Sequence, residues 1–310
     1  MHKTVLIIGA TGFIGGALTR YYSRFGTLVY GVGSELRAPS ELTKADSYFQ
    51  IRLPDAAFDQ LIERIRPDLV IHCAGNSSVP SSIANPRKDF FNGPVLTWEI
   101  LDSIRRNAPG CKFLFLSSAA VYGCPVKLPI KESHPVDPIS PYGVHKLQSE
   151  AICLEFSSLF DVPTASARIF SAYGPGLRRQ VFWDLCQQGI LEGRILAQGT
   201  GNESRDFIHI EDLCTAIAIC CEKSPFVGEV YNMGSGFETR ISDLARSISQ
   251  QLGGGCEVEF TGHVSAGTPL NWRADISTIK EMGFSPAMSV ESSLSDYVEW
   301  CRHELSKVKP

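Results

Sequence analysis

The chain has 310 residues, of which 44% are apolar and 20% charged, and its net charge is −4. This length fits one large domain and a smaller one, and the charge gives no basic surface for nucleic acid or a membrane. Because no apolar run reaches the roughly 18 residues of a membrane span and the 10 cysteines show no metal-ligand spacing, we predict a cytoplasmic protein with reduced thiols and no metal, nucleic-acid or membrane partner.

The chain opens with a short apolar run at 5–8, typical of a strand buried on both faces, and a glycine-rich turn follows at once. An amphipathic stretch comes next, so the turn joins a strand to a helix, which is the context of a dinucleotide-binding turn. The glycines permit a tight turn, a close approach to a pyrophosphate and close helix packing, and the helix N-terminus favours the anion. The predicted cofactor contacts here are Gly9, Thr11, Gly12, Phe13, Ile14 and Gly15.

The end of the second predicted strand, at 28–32, bears on the choice of cofactor. A fold that takes NAD usually places an acid here, on the adenosine ribose hydroxyls. This chain has Gly33 and Ser34, with Arg37 just beyond. An acid would repel a 2′-phosphate, whereas these residues would admit or bind one. The sequence therefore favours NADP(H), with Ser34 and Arg37 as contacts, and leaves NAD possible.

Strands and helices alternate through the first half of the chain. Further strands are predicted at 47–53, 67–73, 112–117 and 163–169, and helices at 56–65, 87–106 and 141–159. This alternation predicts an α/β fold with a Rossmann-like, doubly wound parallel sheet over 1–170. Residues 171–310 are richer in loops, so we expect a smaller C-terminal substrate lobe, with about 205–235 returning to the main sheet.

A possible acid/base pair stands at the start of the helix predicted at 141–159. Tyr142 and Lys146 are four residues apart and share one helix face, where the ammonium should lower the pKa of the phenol. Ser118 follows the strand at 112–117, so its hydroxyl can face the same cleft at the carboxyl edge of the sheet, although it could instead cap a turn. The three residues together suit proton exchange at an oxygen during hydride transfer.

These residues lead to a family resemblance over nearly the full length. The chain resembles the extended short-chain dehydrogenases/reductases that act on nucleotide sugars. The motifs that carry the resemblance are Gly9-Ala-Thr-Gly-Phe-Ile-Gly15, Pro67-Asp-Leu-Val-Ile-His-Cys-Ala-Gly75, Asn92, Ser117-Ser-Ala-Ala-Val-Tyr-Gly123, Ser140-Pro-Tyr-Gly-Val-His-Lys146, Tyr173-Gly-Pro-Gly176 and Arg205-Asp-Phe-Ile-His209.

The resemblance implies roles for individual residues. It makes Ser118, Tyr142 and Lys146 catalytic and Arg205 the contact for the diphosphate of a nucleotide-diphosphate sugar. Ser171 stands where 4-epimerases of UDP-sugars have Asn. The segment 265–268 replaces a basic motif of those enzymes, and Arg273 is the expected substitute for the lost positive charge. The further residues expected to bind the cofactor are Leu53, Ala74, Gly75, Asn92, Tyr142 and Lys146, and those expected to bind substrate are Ser78, Ser171, Arg205 and Arg273.

The residues after Ser118 narrow the reaction. They are Ala119 and Ala120, so the acid that a 4,6-dehydratase or a decarboxylase usually carries there is missing. The end of the second strand favours an NADPH-dependent 4-keto-(6-deoxy)hexose reductase, similar to the GDP-4-keto-6-deoxymannose reductases. The alternative is an NAD-dependent nucleotide-sugar 4-epimerase. A binding protein without catalysis is disfavoured, because such a protein has no need of the proton donor.

The helix predicted at 87–106 has a wide apolar face, formed by Trp98, Ile100, Leu101 and Ile104. In the family that the chain resembles, the matching helices often pair across a dimer interface, which implies a homodimer. The alternative is that this face packs on the chain's own sheet.

Overall fold

A computed structural model describes residues 2–36, 47–263 and 270–307. Numbered in chain order, its strands are β1 Thr4–Ile8, β2 Leu28–Gly33, β3 Tyr48–Gln50, β4 Leu69–His72, β5 Lys112–Ser118, β6 Thr164–Ile169, β7 Ser171–Tyr173, β8 Arg194–Ala197, β9 Ser204–Arg205, β10 Phe207–His209, β11 Val227–Met233, β12 Thr239–Arg240 and β13 Glu257–Phe260. Its α-helices are α1 Phe13–Ser23, α2 Ala56–Ile65, α3 Val79–Ala84, α4 Pro86–Phe90, α5 Leu96–Asn107, α6 Pro141–Phe160, α7 Gln180–Glu192, α8 Ile210–Lys223, α9 Ile241–Gln251, α10 Ser277–Glu281 and α11 Val290–Ser306.

The main sheet holds seven strands among the described residues, in the order β11-β6-β5-β4-β1-β2-β3. Every neighbouring pair in it is parallel. The order reverses after β1, so the carboxyl ends of β1 and β4 flank the crevice in which such sheets bind ligands. The predicted doubly wound parallel sheet is confirmed, although the strand predicted at 47–53 is shorter, Tyr48–Gln50.

The sheet is covered on both faces, because apolar side chains of its central strands point to both sides. In β1, Val5 and Ile7 point into one core with α1 and α8, whereas Leu6 and Ile8 point into a second core with α2, α5 and α6. Each such fully buried side chain stabilises the fold by about 1.5–3 kcal/mol. The two cores together fix the sheet between two helical layers.

The C-terminal part of the chain builds a third core and also contributes to the main sheet. Helices α7, α9 and α11 pack around Phe182, Leu244 and Tyr297. Strand β11 pairs with β6 at one edge of the main sheet, while β7 with β10, β9 with β12 and β8 with β13 form three small two-stranded sheets. The second half of the chain thus forms its own core and also adds one strand, β11, to the main sheet.

The prediction of one continuous helix at 87–106 is wrong, because the helical segment is interrupted. The segment is broken into α4, a π-helical turn at Phe91–Val95 and then α5. Pro94 lies inside the π-helical turn and has no N–H to donate, so the ordinary helical hydrogen bonding cannot continue through it. Asn92, an expected cofactor contact, lies in this turn.

The sequence left open whether the apolar face of α5 packs on the chain's own sheet or on a second copy, and the structure buries most of this face in the chain itself. Ile100, Leu101 and Ile104 are buried in the chain's own core. Trp98 is 43% exposed, so it alone among the four residues remains on the surface. Among the described residues, no helix is both long and apolar enough to cross a membrane.

Candidate active site

The glycine-rich turn between β1 and α1 is packed so closely that side chains are excluded. The N–H groups of Gly9 and Ala10 both donate to the carbonyl of Val32, at 2.7 and 3.1 Å. Gly9 has φ +83°, and a Cβ there would lie 2.8 Å from the Ala74 nitrogen. At Gly15 a Cβ would lie 2.1 Å from the Gly9 carbonyl oxygen. Glycine is therefore required at both positions.

The N-terminus of α1 fits the pyrophosphate of a dinucleotide. Its N-cap is Gly12, and no side chain caps the first turn. The first-turn amides, which include those of Phe13 and Ile14, are thus left to bind an anion, and the helix dipole favours one there. Since Gly9 and Gly15 place no side chain beside these amides, the glycine-rich turn and the start of α1 fit the pyrophosphate of the expected dinucleotide.

The end of β2 was expected to lack an acidic residue, but the structure places one close to it. A Cβ on Gly33 would lie 2.7 Å from the Tyr48 hydroxyl and 3.2 Å from Thr11 Oγ1. The same hydroxyl donates to the Glu35 carbonyl at 2.8 Å, and the charge of the Glu35 carboxylate helps burial to raise the pKa of Tyr48. An acid that sequence reasoning passed over therefore lies beside the strand end. The signal was present, since Glu35 follows Ser34 directly.

Arg37 and the segment 265–268 lie outside the described residues. Ser34 is exposed, and its carbonyl accepts a hydrogen bond of 3.4 Å from Gln50. Leu53 lines a cavity of about 280 Å³ between α2 and α5, together with Leu96 and Ile100. This cavity is separate from the one that Tyr142 lines.

Ser118 and Ser117 turn in opposite directions at the end of β5. Ser117 donates to the buried Glu150 carboxylate at 2.5 Å, and Glu150 in turn pairs with Arg168 at 2.7 Å. Ser118 caps the short turn at Ala119–Tyr122, with its Oγ 3.2 Å from the Ala120 nitrogen. Its side chain also lies close enough to the phenol of Tyr142 to lower the pKa of that group. Ser118 therefore both caps the turn and faces the phenol.

The start of α6 is held against that turn by backbone packing. Ser140 caps the helix and Pro141 occupies its first turn. A Cβ on Gly143 would lie 2.6 Å from the Ala120 carbonyl oxygen, so only glycine allows the helix to approach this closely. The Tyr142 N–H donates to Ser82 Oγ of α3 at 3.1 Å. These contacts bring the phenol to Ser118.

The pKa of Tyr142 does not move in the expected direction. Burial raises it above its ordinary value, and the charge of Asp89 raises it further. The hydrogen bond from Ser118 and the charge of Arg179 oppose the rise, whereas Lys146 is not among the causes. The expected lowering by Lys146 is therefore wrong for the protein alone, because desolvation outweighs the nearby positive charges.

Lys146 lies behind the phenol, with its ammonium in a partly apolar setting. Its Nζ donates to the Leu116 carbonyl at 2.7 Å and stands 4.7 Å from the centre of the Phe115 ring and 5.9 Å from that of Tyr142. Burial lowers the pKa of Lys146 to about 8, although Asp89 acts in the opposite direction. At pH 7 the group is therefore still mostly an ammonium, but its pKa lies much closer to neutral than that of an ordinary lysine.

A small cavity brings predicted cofactor and catalytic residues together. The predicted residues in its wall are Ala74, Gly75, Asn92, Tyr142 and Lys146. A Cβ on Gly75 would lie 3.1 Å from the Asn92 carbonyl oxygen, so the turn after β4 and the π-helical turn touch through backbone. These five residues therefore lie together around one cavity. Their roles in binding the cofactor and in catalysis stay predictions.

Three polar residues in the same wall were missed. Asn76, Asp89 and His145 are linked, with Asp89 accepting from Asn76 at 2.7 Å and lying 2.5 Å from His145 Nδ1. His145 could have been noticed, because it is three residues from Tyr142 and shares its helix face. Asp89 carries no such signal, since the packing of α4 on α6 decides its contact.

The residues expected to bind substrate fall into two groups. Arg205 donates to the carbonyls of Ser204 and Leu270 and lies 5.5 Å from the Trp272 ring, and burial lowers its pKa to about 10. Arg273 is exposed and donates to the Gly236 carbonyl at 3.1 Å. Since Trp272 donates to the Gly123 carbonyl, this arginine pair is tied to the turn that follows Ser118.

The other two expected substrate residues make backbone or capping contacts. Ser78 caps α3 by accepting from Ser81 N–H at 3.3 Å. Ser171 is in β7, where its N–H donates to the Asp206 carbonyl at 2.9 Å. Within the described part of the chain, no group of three or more His, Cys, Asp or Glu side chains could hold a metal ion.

Comparison with known proteins extends over nearly the whole chain. The profile of the NAD dependent epimerase/dehydratase family matches residues 5–234. A putative UDP-glucose 4-epimerase of Methanocaldococcus jannaschii is 26% identical, over 96% of this chain and 98% of its own length. A probable UDP-glucuronate 4-epimerase of Rhizobium meliloti is 27% identical, over 95% of this chain and 96% of its own length.

A solved structure is similar over the same extent. UDP-glucuronic acid 4-epimerase from Bacillus cereus, solved with UDP-glucuronic acid and NAD, matches this chain with a TM-score of 0.88 at 25% identity. The match covers 97% of this chain and 99% of that one. The shared fold therefore includes both the main sheet and the C-terminal part.

The pKa of Lys146 leads to a stability prediction. The unfolded side chain has a pKa of about 10.4, so below pH 8 the folded chain must keep a buried ammonium. Lys146→Met removes this cost, and we expect about 1–3 kcal/mol greater free energy of unfolding at pH 7, measured by urea denaturation. Between pH 8 and 10 the unfolded wild type binds more protons than the folded state, so its stability rises and the difference should shrink. Lys280→Met, at an exposed site on α10, is the control; a difference that stays constant with pH would contradict the assignment.

Proposed function

This chain belongs to the NAD dependent epimerase/dehydratase family, and we propose that it is an NAD-dependent 4-epimerase of a nucleoside-diphosphate hexose. The observation that carries this proposal is that Ser118, Tyr142 and Lys146 come together: the side chain of Ser118 lowers the pKa of Tyr142, and Lys146 Nζ stands 5.9 Å from the centre of the Tyr142 ring. The pair stands at the carboxyl edge of the sheet, opposite the glycine-rich turn.

The proposal replaces the NADPH-dependent reductase that the sequence favoured. The relatives that match nearly the whole chain bear the names of 4-epimerases of UDP-glucose and UDP-glucuronate, which supports the alternative. Ala119 and Ala120 are buried and follow Ser118 directly. They offer no acid or base for an elimination, so the 4,6-dehydratase branch of the family remains disfavoured.

The proposed chemistry needs one proton to leave and return at the sugar C4 oxygen. A bound NAD supplies the hydride acceptor and donor, and its oxidised ring also brings a positive charge. As a phenolate, Tyr142 takes the proton of the C4 hydroxyl, and it returns this proton to the C4 oxygen after the 4-keto-sugar has turned over its other face to the cofactor. Ser118 donates a hydrogen bond to the same sugar oxygen. Lys146, as an ammonium, stabilises the phenolate while the proton is away.

The proposed substrate end lies at the arginine pair. Arg205 and Arg273 suit the diphosphate, because a guanidinium offers several donors to phosphate oxygens. The stacking of Arg205 on Trp272 and its two carbonyl acceptors hold the guanidinium in place. Ser78 and Ser171 stay proposed contacts to the sugar.

For the cofactor we propose NAD rather than NADP. The Glu35 carboxylate acts on the Tyr48 hydroxyl at the end of β2, so a negative charge is present where a 2′-phosphate would have to lie. The solved Bacillus cereus epimerase holds NAD, which supports the same choice. Glu35 is the proposed contact for the adenosine ribose hydroxyls.

We also propose a homodimer through the outer surface of α5 and α6. Trp98, Leu159 and Phe160 are 43%, 71% and 44% exposed there. Trp98 packs on Phe156 with ring centroids 6.0 Å apart, so the two helices present their apolar side chains side by side. A patch of this kind, formed by adjacent helices, suits a self-complementary interface.

Tyr142→Phe tests the catalytic assignment. Loss of the proton carrier should lower kcat for 4-epimerisation by about 10²–10⁴-fold, while KM changes little because the ring stays in place. The assay follows conversion between UDP-glucose and UDP-galactose, and between the corresponding uronates. Tyr297→Phe, in the core of the C-terminal part, is the control. Unchanged turnover in Tyr142→Phe, or stoichiometric NADPH consumption by the wild type with a 4-keto sugar, would reject the proposal.

The cofactor proposal has its own test. Acid release and chromatography of the nucleotide that copurifies should yield NAD. Glu35→Ala should weaken NAD binding roughly tenfold, the loss of a charge-assisted hydrogen bond, and should reduce discrimination against NADP. Glu63→Ala, an exposed acid on α2, should change neither. Retention of NADP by the wild type would overturn the choice of NAD.

The dimer proposal predicts a change in hydrodynamic size. Leu159→Glu places a charge in the proposed interface, so sedimentation velocity should show a monomer where the wild type is a dimer. Leu191→Glu alters a similarly exposed leucine on α7, outside that face, and should leave the dimer intact. A wild type that sediments as a monomer would refute the interface.

A further inference from the structure

A buried carboxylate next to the catalytic pair has no role in the chemistry above. Asp89 is only 4% exposed, on the short helix α4 that precedes the π-helical turn. Both of its oxygens are bonded: Oδ1 accepts from Asn76 Nδ2 at 2.7 Å, and Oδ2 lies 2.5 Å from His145 Nδ1. Asn76 is itself held, because its side chain also bonds the backbone of Ser77 and Ser78. The carboxylate is thus fixed in position.

This carboxylate lines the same small cavity as Tyr142 and Lys146. Its partners Asn76 and His145 also belong to the cavity wall. His145 directly precedes Lys146 on α6, so the helix that carries the catalytic pair also carries the partner of the acid. In a buried setting a full charge acts over several ångströms with little screening.

The other charged and titratable groups near this pair are few or already committed. Glu150, one turn further along α6, is bonded to Arg168 and Ser117. Burial lowers the pKa of His72 on β4 to about 3, which keeps that ring neutral. The remaining groups that face the pair are Cys73 after β4, Cys153 on α6 and Arg179 at the start of α7, and α4 itself also carries Arg87 and Lys88.

We propose that Asp89, held by Asn76 and His145, is a positioning residue that sets the charge state of the catalytic pair, keeping Lys146 an ammonium and holding Tyr142 as a phenol until the cofactor is bound. This inference rests on the proposed function, since it concerns the same site. Asp89 itself touches neither the sugar nor the cofactor in the proposed mechanism.

The direction of the effect follows from the charge. Asp89 raises the pKa of Lys146, which burial alone would lower further than about 8, and it raises the pKa of Tyr142 in the same sense. Without Asp89, Lys146 would lose its proton closer to neutral pH. The ammonium that supports the phenolate would then be partly absent at the working pH.

A purely structural role would not require a charge. Asn at this position is nearly isosteric and retains an acceptor and donors for Asn76 and His145. A buried carboxylate costs desolvation free energy that a neutral amide largely avoids. Its presence beside a lysine that must stay protonated is explained by the electrostatic role.

Asp89→Asn tests the inference through the pH profile. Removal of the negative charge lowers both pKa values, so both limbs of the kcat profile for 4-epimerisation should move to lower pH by about one unit. Asp212→Asn is the matched control, because Asp212 is also buried and bonded but is not among the groups that act on Tyr142 or Lys146. A loss of kcat without movement of either limb would overturn the inference.

A spectroscopic measurement separates this inference from the proposed function. The near-ultraviolet absorbance of phenolate is titrated for the wild type and for Tyr142→Phe, and the difference reports Tyr142 alone, without any turnover. In the Asp89→Asn background the midpoint should fall. A shifted midpoint in a protein that epimerises no sugar would reject the function and keep the inference, whereas an unmoved midpoint in an active epimerase would do the reverse.

Asp89→Ser provides a second variant should Asp89→Asn fold poorly. Serine also removes the negative charge, so the Tyr142 midpoint should again fall. His145→Gln is the control, because it keeps the carboxylate and a donor to it, and its Tyr142 midpoint should not fall. An unmoved midpoint in Asp89→Ser, or an equal fall in His145→Gln, would refute the charge-setting role.

Discussion

Lys146 must hold a positive charge in a setting where burial disfavours it, and the roles of Asp89 and Tyr142 depend on this constraint. The ammonium has one carbonyl acceptor, from Leu116, and the Phe115 ring beside it, which is less than water would offer. Its pKa falls to about 8 for that reason. A fixed carboxylate at Asp89 offsets part of the cost without forming a direct bond to the ammonium. The lysine therefore stays available to the phenol.

The same desolvation governs Tyr142. Burial raises its pKa, and only Ser118 and the charge of Arg179 oppose the rise, so the protein alone holds a neutral phenol. A neutral phenol is suited to returning a proton, and its use as a base depends on a positive charge brought next to it. The oxidised ring of the proposed NAD would bring such a charge on binding. Until the cofactor is bound, Tyr142 can therefore donate a proton but cannot accept one.

Backbone packing, rather than side-chain bonding, places the parts of the site. Gly15 against the Gly9 carbonyl, Gly75 against the Asn92 carbonyl and Gly143 against the Ala120 carbonyl each bring two segments close together, and a Cβ would lie 2.1, 3.1 and 2.6 Å from the three oxygens. The first contact shapes the anion site, the second joins the turn after β4 to the π-helical turn, and the third brings Tyr142 to Ser118. The distances at Gly15 and Gly143 exclude a side chain, whereas at Gly75 the φ of +120° favours glycine.

The sequence by itself determined the fold class, the family and the local motifs, because these depend on periodicity and on spacing within one segment. Buried apolar runs gave the parallel strands, and the four-residue spacing placed Tyr142 and Lys146 on one face of α6. The break at Pro94 was also readable, although the sequence analysis predicted one continuous helix there. The choice of cofactor at the end of β2 was less secure, because the sequence analysis weighed Gly33, Ser34 and Arg37 and passed over Glu35 between them.

Only the tertiary structure decided the electrostatics and the partners. The pKa of Tyr142 moved opposite to the expectation because burial is a property of the packed cleft and not of the helix that carries the residue. Ile100, Leu101 and Ile104 proved to be core residues, whereas Trp98 did not, and a helical stripe cannot distinguish the two. Asp89 meets His145 across 56 residues of sequence. Such a contact depends on how α4 packs against α6, which no local pattern records.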